Sequence, residues 1–286
     1  MVKLMSATDS SKITIRRIDD FAEMREVEEL QKEVWGVPDL DVVPLTHLVA
    51  AREAGGVLIG AFDGKTMVGF IYGFPSFEQG QPAHHSHMLA VKPAFRNHDL
   101  GRQLKLAQRE QVQAQGIGLM SWTFDPLQSL NAHFNFNKLG VISDRYLPNF
   151  YGDDAPSFLH RTGTDRLWVF WFLASERVKQ RISRATEPVD LEPGTPLVQV
   201  QADDSPERND SATGWSYDVA KIEIPTNINV LQQQRPDIAV RWREETRWAF
   251  TEALRLGYTV TEFVRETRGA QRIGKYLLSK TAILND

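Results

Sequence analysis

The sequence predicts an α/β protein built on a mixed sheet and followed by a smaller C-terminal α+β domain. Three stretches carry that prediction. Residues 57–62 and 67–72 are apolar runs on either side of Asp63-Gly64-Lys65, a hairpin with suitable turn chemistry. Residues 85–115 read as a strand, a proline-broken turn, a short loop and a helix. Residues 167–173 form an unbroken apolar run, the pattern of a strand covered on both faces.

The remaining elements fall into place around these. Residues 13–18 alternate as a first strand, and Asp19 or Asp20 caps a helix carrying Phe21, Met24, Val27, Leu30 and Val34 at helical spacing, ended by Gly36. A second short helix is expected over 44–54, closed by Gly55-Gly56, and the helix after residue 100 stops at Gly116. Residues 119–124 read as a strand broken at Asp125-Pro126, and 129–138 as a helix closed by Gly140. Residues 186–215 hold Pro188, Pro193, Gly194 and Pro196 and then a polar run, a boundary segment plus a mobile loop. Beyond them come a strand (219–224), a helix (237–256, stopped by Gly257) and two strands (258–265 and 273–279). The expected division is 13–180, a linker at 181–215, and an extension at 216–286.

Composition narrows the function. The 286 residues, 42% hydrophobic and 24% charged, are those of a soluble globular protein. No apolar run reaches the eighteen or so residues of a membrane span, and residues 1–6 lack a secretory core, so a cytoplasmic location without membrane partners is expected. The absence of cysteine excludes a disulfide framework, a thiolate nucleophile and a thiolate-bound zinc. A net charge of −4 argues against general nucleic-acid binding.

The chemistry concentrates between residues 85 and 102. A loop opening a helix aims backbone N–H groups at one spot with the positive end of the helix dipole behind them, which suits a phosphate. Just before it, His85 and His87 are two apart on a strand and so share a face, whereas the adjacent His84 does not. Imidazole titrates in the range that lets it take a proton from a reacting group. With no acidic or thiolate ligands at matching spacing, no metal is expected there.

The element order over roughly 13–175, with Arg96-Asn97-His98-Asp99-Leu100-Gly101 in the phosphate loop, resembles the GNAT superfamily of acyl-CoA-dependent N-acyltransferases. Its signature is Arg/Gln-x-x-Gly-x-Gly/Ala; Arg96 and Gly101 match, and Asp99 replaces the middle glycine. The resemblance implies that Arg96, Asn97, His98, Asp99, Leu100, Gly101 and Arg102 surround the coenzyme A pyrophosphate while Leu89, Ala90 and Val91 bind the pantetheine arm. His85-Ser86-His87-Met88-Leu89-Ala90-Val91 is similar to the His-x-His-x-Leu-Ala-Val stretch of arylalkylamine N-acetyltransferases, which implies a general-base role for His85 and His87. Asp99 has two readings, an N-cap turned away from the ligand or a charge that weakens coenzyme binding.

Residues 131–140 resemble the family's later helix at Ala132, Lys138 and Gly140, with Asn131 in reach of the coenzyme. Phe136 takes the place of the tyrosine that protonates the departing thiolate, which leaves Tyr146, Tyr151 or water for that role, or a thiolate that departs unaided. The aromatic clusters at 122–127 and 146–152, with Thr164-Asp165-Arg166, resemble those of a bacterial subgroup with a C-terminal extension, which implies an amino-acid amine as substrate. Arg243 and Arg247, four apart on the late helix, suit a carboxylate; Glu244 and Glu245 beside them offer a surface salt-bridged helix instead. Trp248 falls off the apolar face, a place for a domain or homodimer contact.

The expected activity is transfer of an acetyl, succinyl or similar group from acetyl-CoA or succinyl-CoA to a primary amine of a small molecule by direct attack, with no metal. The rival is a coenzyme-binding sensor or scaffold that has lost turnover.

Overall fold

The computed structural model describes residues 13–96, 98–152, 162–184, 195–210 and 218–280. The chain divides into two compact units, 1–117 and 118–286. The boundary expected near residue 180 therefore falls inside the second unit.

In the first unit, β1 (Ile13–Arg17), β2 (Val57–Asp63), β3 (Thr66–Glu78) and β4 (Gln81–Val91) form an antiparallel sheet in that order. Three helices flank it: α1 (Phe21–Trp35), α2 (Leu45–Glu53) and α3 (Leu100–Ala114). Asp20 caps α1 by accepting the Ala22 N–H at 2.6 Å, and Gly36 ends it in the left-handed region at φ 65°. The α1 face buries Met24, Val27, Leu30 and Val34 against Phe70, Tyr72, Met88 and Ala90 of the sheet. Each such aliphatic side chain contributes roughly 1.5–3 kcal/mol of burial. On the opposite face Gly69 and Gly73 open the room that α3 fills. A Cβ on Gly69 would lie 2.8 Å from the Ala90 carbonyl, and one on Gly73 would lie 2.5 Å from His84 Nε2.

The hairpin expected at 57–72 forms, but β3 runs on to Glu78 and returns through Gln79-Gly80, both at positive φ (50° and 78°). Gly73 and Pro75 hide this extension from a reading of the sequence. The β2 ladder ends at Gly73, so Pro75 stands where its missing N–H costs the sheet least.

In the second unit eight strands of the described residues lie side by side. β5 (Leu119–Phe124), β7 (Arg166–Phe172), β6 (Ile142–Leu147), β11 (Thr259–Arg268), β12 (Gln271–Ser279), β10 (Val219–Pro225), β8 (Val198–Val200) and β9 (Pro206–Arg208) follow one another, with β10 and β8 parallel. α4 (Ser129–Ala132) passes into a π-helical stretch over His133–Leu139, where a plain α-helix was expected, and Gly140 closes it at φ 78°. The remaining helices are α5 (Glu176–Ser183), α6 (Ile228–Gln234) and α7 (Pro236–Arg255). β8 and β9 correct the expectation of a loop throughout 186–215. Each is only three residues long and gains its order from β10 and from its partner, a tertiary contribution with no local pattern.

Candidate active site

The first unit assembles the histidine strand and the loop. β4 carries a bulge: Tyr72 opposes Met88 and Phe74 opposes His85, so Ser86 and His87 together face Gly73. His85 and His87 share a face, with ring centroids 6.1 Å apart. Phe74 lies 5.5 Å from His85 and 5.7 Å from His87, and Tyr72 stands edge-on to His87 at 6.2 Å. His47 from α2 joins this ring cluster, its Nε2 2.9 Å from the Tyr72 hydroxyl. Sequence reading missed His47, which has no motif around it and comes close only through the packing of α2.

The surroundings of His85 and His87 disfavour their charged forms. Burial lowers His85 to about 3, helped by His87, Lys105 and His84. His87 keeps part of its surface open, yet packing among the rings and the nearby His47 lower it too. Burial raises the Tyr72 hydroxyl to about 12, so it remains a phenol. His84 turns to the α3 side, fully buried, and burial with the nearby Lys105 lowers it to about 4.

Leu89, Ala90 and Val91 finish β4 opposite Ile71, Phe70 and Gly69. The chain then turns through a 3-10 segment at Pro93–Phe95, and the Arg96 Nε–H donates to the Val91 carbonyl at 3.3 Å. Asn97 lies outside the described residues. The His98 carbonyl accepts from the Gln103 side chain at 3.4 Å. The first helical bond of α3 runs from the Gln103 N–H to the Asp99 carbonyl, so the amides of Leu100, Gly101 and Arg102 precede the helical ladder. Asp99 corrects its expected capping role: it occupies the N-cap position at φ 57°, and its side chain makes no cap hydrogen bond. A left-handed cap residue points its side chain away from the helix amides, and this carboxylate lies 3.5 Å from Arg102 instead. That conformation also explains why a short polar residue can stand where the family has glycine.

The second unit holds the other candidates. Asn131 is exposed on α4, while Asn135 is buried and accepts from Trp122 Nε1 at 3.2 Å. Phe136 is fully buried, edge-on to Phe124 and Tyr276. Tyr146 donates to Asp165 Oδ2 at 2.6 Å and stacks on Phe250; burial and Asp165 hold its hydroxyl well above the usual range. Tyr151 is exposed, beneath the Arg166 guanidinium at 5.1 Å.

The two arginines of α7 are engaged differently from either expectation. Arg243 is buried and binds Asp125 with both terminal nitrogens, at 2.9 and 2.7 Å. Arg247 binds Asp165 at 2.7 and 2.9 Å and Asn149 at 3.1 Å. Their carboxylates come from the residue after β5 and the residue before β7, distant in sequence, rather than from Glu244 or Glu245. Trp248 is covered by the guanidinium of Arg208 at 4.2 Å, and Arg208 also pairs with Glu245. Among the described residues no cluster of three His, Asp or Glu side chains could hold a metal ion, and no helix is long and apolar enough to cross a membrane.

Residues 21–140, which hold the histidine strand and the loop that opens α3, match the model of the acetyltransferase (GNAT) family. Among solved structures it is similar to aminoglycoside 6'-acetyltransferase type Ii, at 19% identity over 57% of this chain and 99% of that one, with a TM-score of 0.46. A GNAT family acetyltransferase from Elizabethkingia anophelis with acetyl-CoA bound is similar at 16% identity, over 57% and 99% of the two chains, with a TM-score of 0.43. The ribosomal-protein-S18-alanine N-acetyltransferase of Escherichia coli is similar at 13%, over 57% and 97%, with a TM-score of 0.44. No curated protein matches the chain.

Proposed function

We propose that this protein transfers an acyl group from acyl-CoA, acetyl-CoA or succinyl-CoA being the donors to test, to a primary amine of a small molecule, by direct attack. The observation that carries the reading is the pair His85 and His87, held uncharged on one face of the strand that leads into the α3 loop. A neutral imidazole accepts the ammonium proton, directly or through water; the amine then attacks the thioester carbon, a C–N bond forms and the C–S bond breaks. The amides of Leu100, Gly101 and Arg102, which precede the helical ladder at the positive end of α3, suit the coenzyme pyrophosphate, with Arg96 and His98 beside them in the chain. Binding there supplies orientation rather than chemistry.

The departing thiolate needs a proton. Tyr151, exposed beside Arg166, is the better side-chain candidate, because the Tyr146 hydroxyl already donates its hydrogen bond to Asp165. Arg247 would bind a substrate carboxylate only by exchange with Asp165, which makes it a better candidate than the buried Arg243.

Thiol release from acetyl-CoA and succinyl-CoA against an amine panel, with His85→Ala and His87→Ala alongside, tests the reading. Turnover that collapses in the variants supports it. Coenzyme binding without turnover across the panel would sink it and favour a sensor, the reading that buried Phe136 supports.

A further inference from the structure

On the side of β4 away from His85 and His87, the strand and α3 share a chain of four polar side chains. Lys105 and Gln108, three apart on α3, meet Ser86 and His84, two apart on β4. Lys105 Nζ donates to Ser86 Oγ at 2.8 Å, and the Ser86 hydroxyl donates to Gln108 Oε1 at 2.6 Å. Gln108 Nε2 lies 3.5 Å from His84 Nε2. All four are almost completely buried, Lys105 at 3% and Ser86 at 4% exposure. Gly73 makes the space, since a Cβ there would come 2.8 Å from Gln108 Nε2.

A polar chain in an apolar interface is a poor source of stability but a strong source of register, because each shifted arrangement strands a buried donor or acceptor. Register is what this strand needs. Ser86 and His87 together face one residue, so the bulge can distribute its two side chains between the faces in more than one way. With Ser86 held on the α3 side, His87 goes to the side of His85.

We propose that Lys105 is a positioning residue for acyl transfer: by holding Ser86 from α3 it fixes the bulge that sets His85 and His87 side by side, and ties them to the helix that begins at the phosphate loop. The proposal rests on the reading of these histidines as the base. Among the groups acting electrostatically on them are His84 and Lys105 from the α3 side and His47 from α2, besides His87 on His85. Burial lowers the Lys105 ammonium well below its usual range, and the positive charge it carries when protonated opposes protonation of His85, so its removal moves that titration upward.

The test uses the full chain with Lys105→Met and Ser86→Ala, followed by histidine ring NMR and by the pH profile of thiol release. In Lys105→Met the His85 ring should titrate at higher pH, and kcat should fall by roughly 10-fold or more, the scale of a misplaced general base, with KM for acyl-CoA little changed. Ser86→Ala should lower kcat in the same direction and weaken the ring contact between His85 and His87, with the His85 titration nearly in place because the lysine remains. A folded Lys105→Met with wild-type titration and kcat would overturn the proposal. So would wild-type kcat and ring contact in Ser86→Ala, should Lys105→Met not fold. Absence of turnover in the wild type would overturn the acyl-transfer reading instead, and the ring titration and contact would still decide whether Lys105 positions the histidines.

Discussion

Arg243 and Asp125 form a bidentate ion pair inside the second unit, joining α7 to the end of β5 across 118 residues of sequence. Both side chains are at least nine-tenths buried. Removing one partner strands the other as an uncompensated buried charge. Arg243→Met should therefore cost about 3–5 kcal/mol in urea unfolding, and Arg243→Met with Asp125→Leu should recover much of that loss. Equal stability of the single and double variants would show that the pair does not act as a unit.

Stability should also respond to pH through the buried histidines. His84 at about 4 and His85 at about 3 both lie below the unfolded value of 6.5. The unfolded chain then binds more protons than the folded one below pH 6.5, so stability should fall as pH drops from 6.5 toward 4. Thermal midpoints measured across that window should decline, and His84→Gln should flatten the decline.

On the proposed reading of His85 as the base, the same depression sets the acid limb of activity. A base that titrates at about 3 stays available well below the ordinary histidine range, so kcat/KM should hold at mildly acid pH. A limb centred near 6.5 that survives in His85→Ala would assign the base elsewhere.

Gly73→Ala places a Cβ 2.5 Å from His84 Nε2 and 2.6 Å from the His85 carbonyl. Overpacking of this kind should cost roughly 1–3 kcal/mol, read from the denaturation midpoint. Gly118→Ala, with open space around its Cβ, should leave the midpoint nearly unchanged.

Asp99→Gly removes both a left-handed non-glycine residue and a carboxylate at the phosphate loop. A carboxylate about 4 Å from a phosphate costs roughly 1 kcal/mol in water, so coenzyme A should bind roughly fivefold tighter to the variant in calorimetry. Unchanged or weaker binding would show that Arg102 already neutralises the charge.

Several pieces of the site were legible because they rest on local rules. The two-residue spacing of His85 and His87 places them on one face, and Asp20 and Gly36 mark the ends of α1 as their chemistry requires. His84 is set apart from them by the same alternation. Asp99 shows the limit of such rules: a residue good at capping took the position with the wrong backbone for it. The partners of Arg243 and Arg247 were illegible for another reason. Helical spacing pointed to Glu244 and Glu245 as neighbours, whereas the carboxylates that bind arrive from distant strands.

The sequence by itself thus determined the class of fold, the loop before α3 and the histidine pair, because turn chemistry, periodicity and strand alternation act over a few residues. The tertiary structure alone decided what surrounds them: His47 beside Tyr72, Lys105 beneath Ser86, and the bulge between His85 and Met88. The first two contacts join residues 25 and 19 apart in the chain, and all three depend on which faces pack together. The burial that keeps the histidines neutral comes from the same packing, and no local rule encodes it.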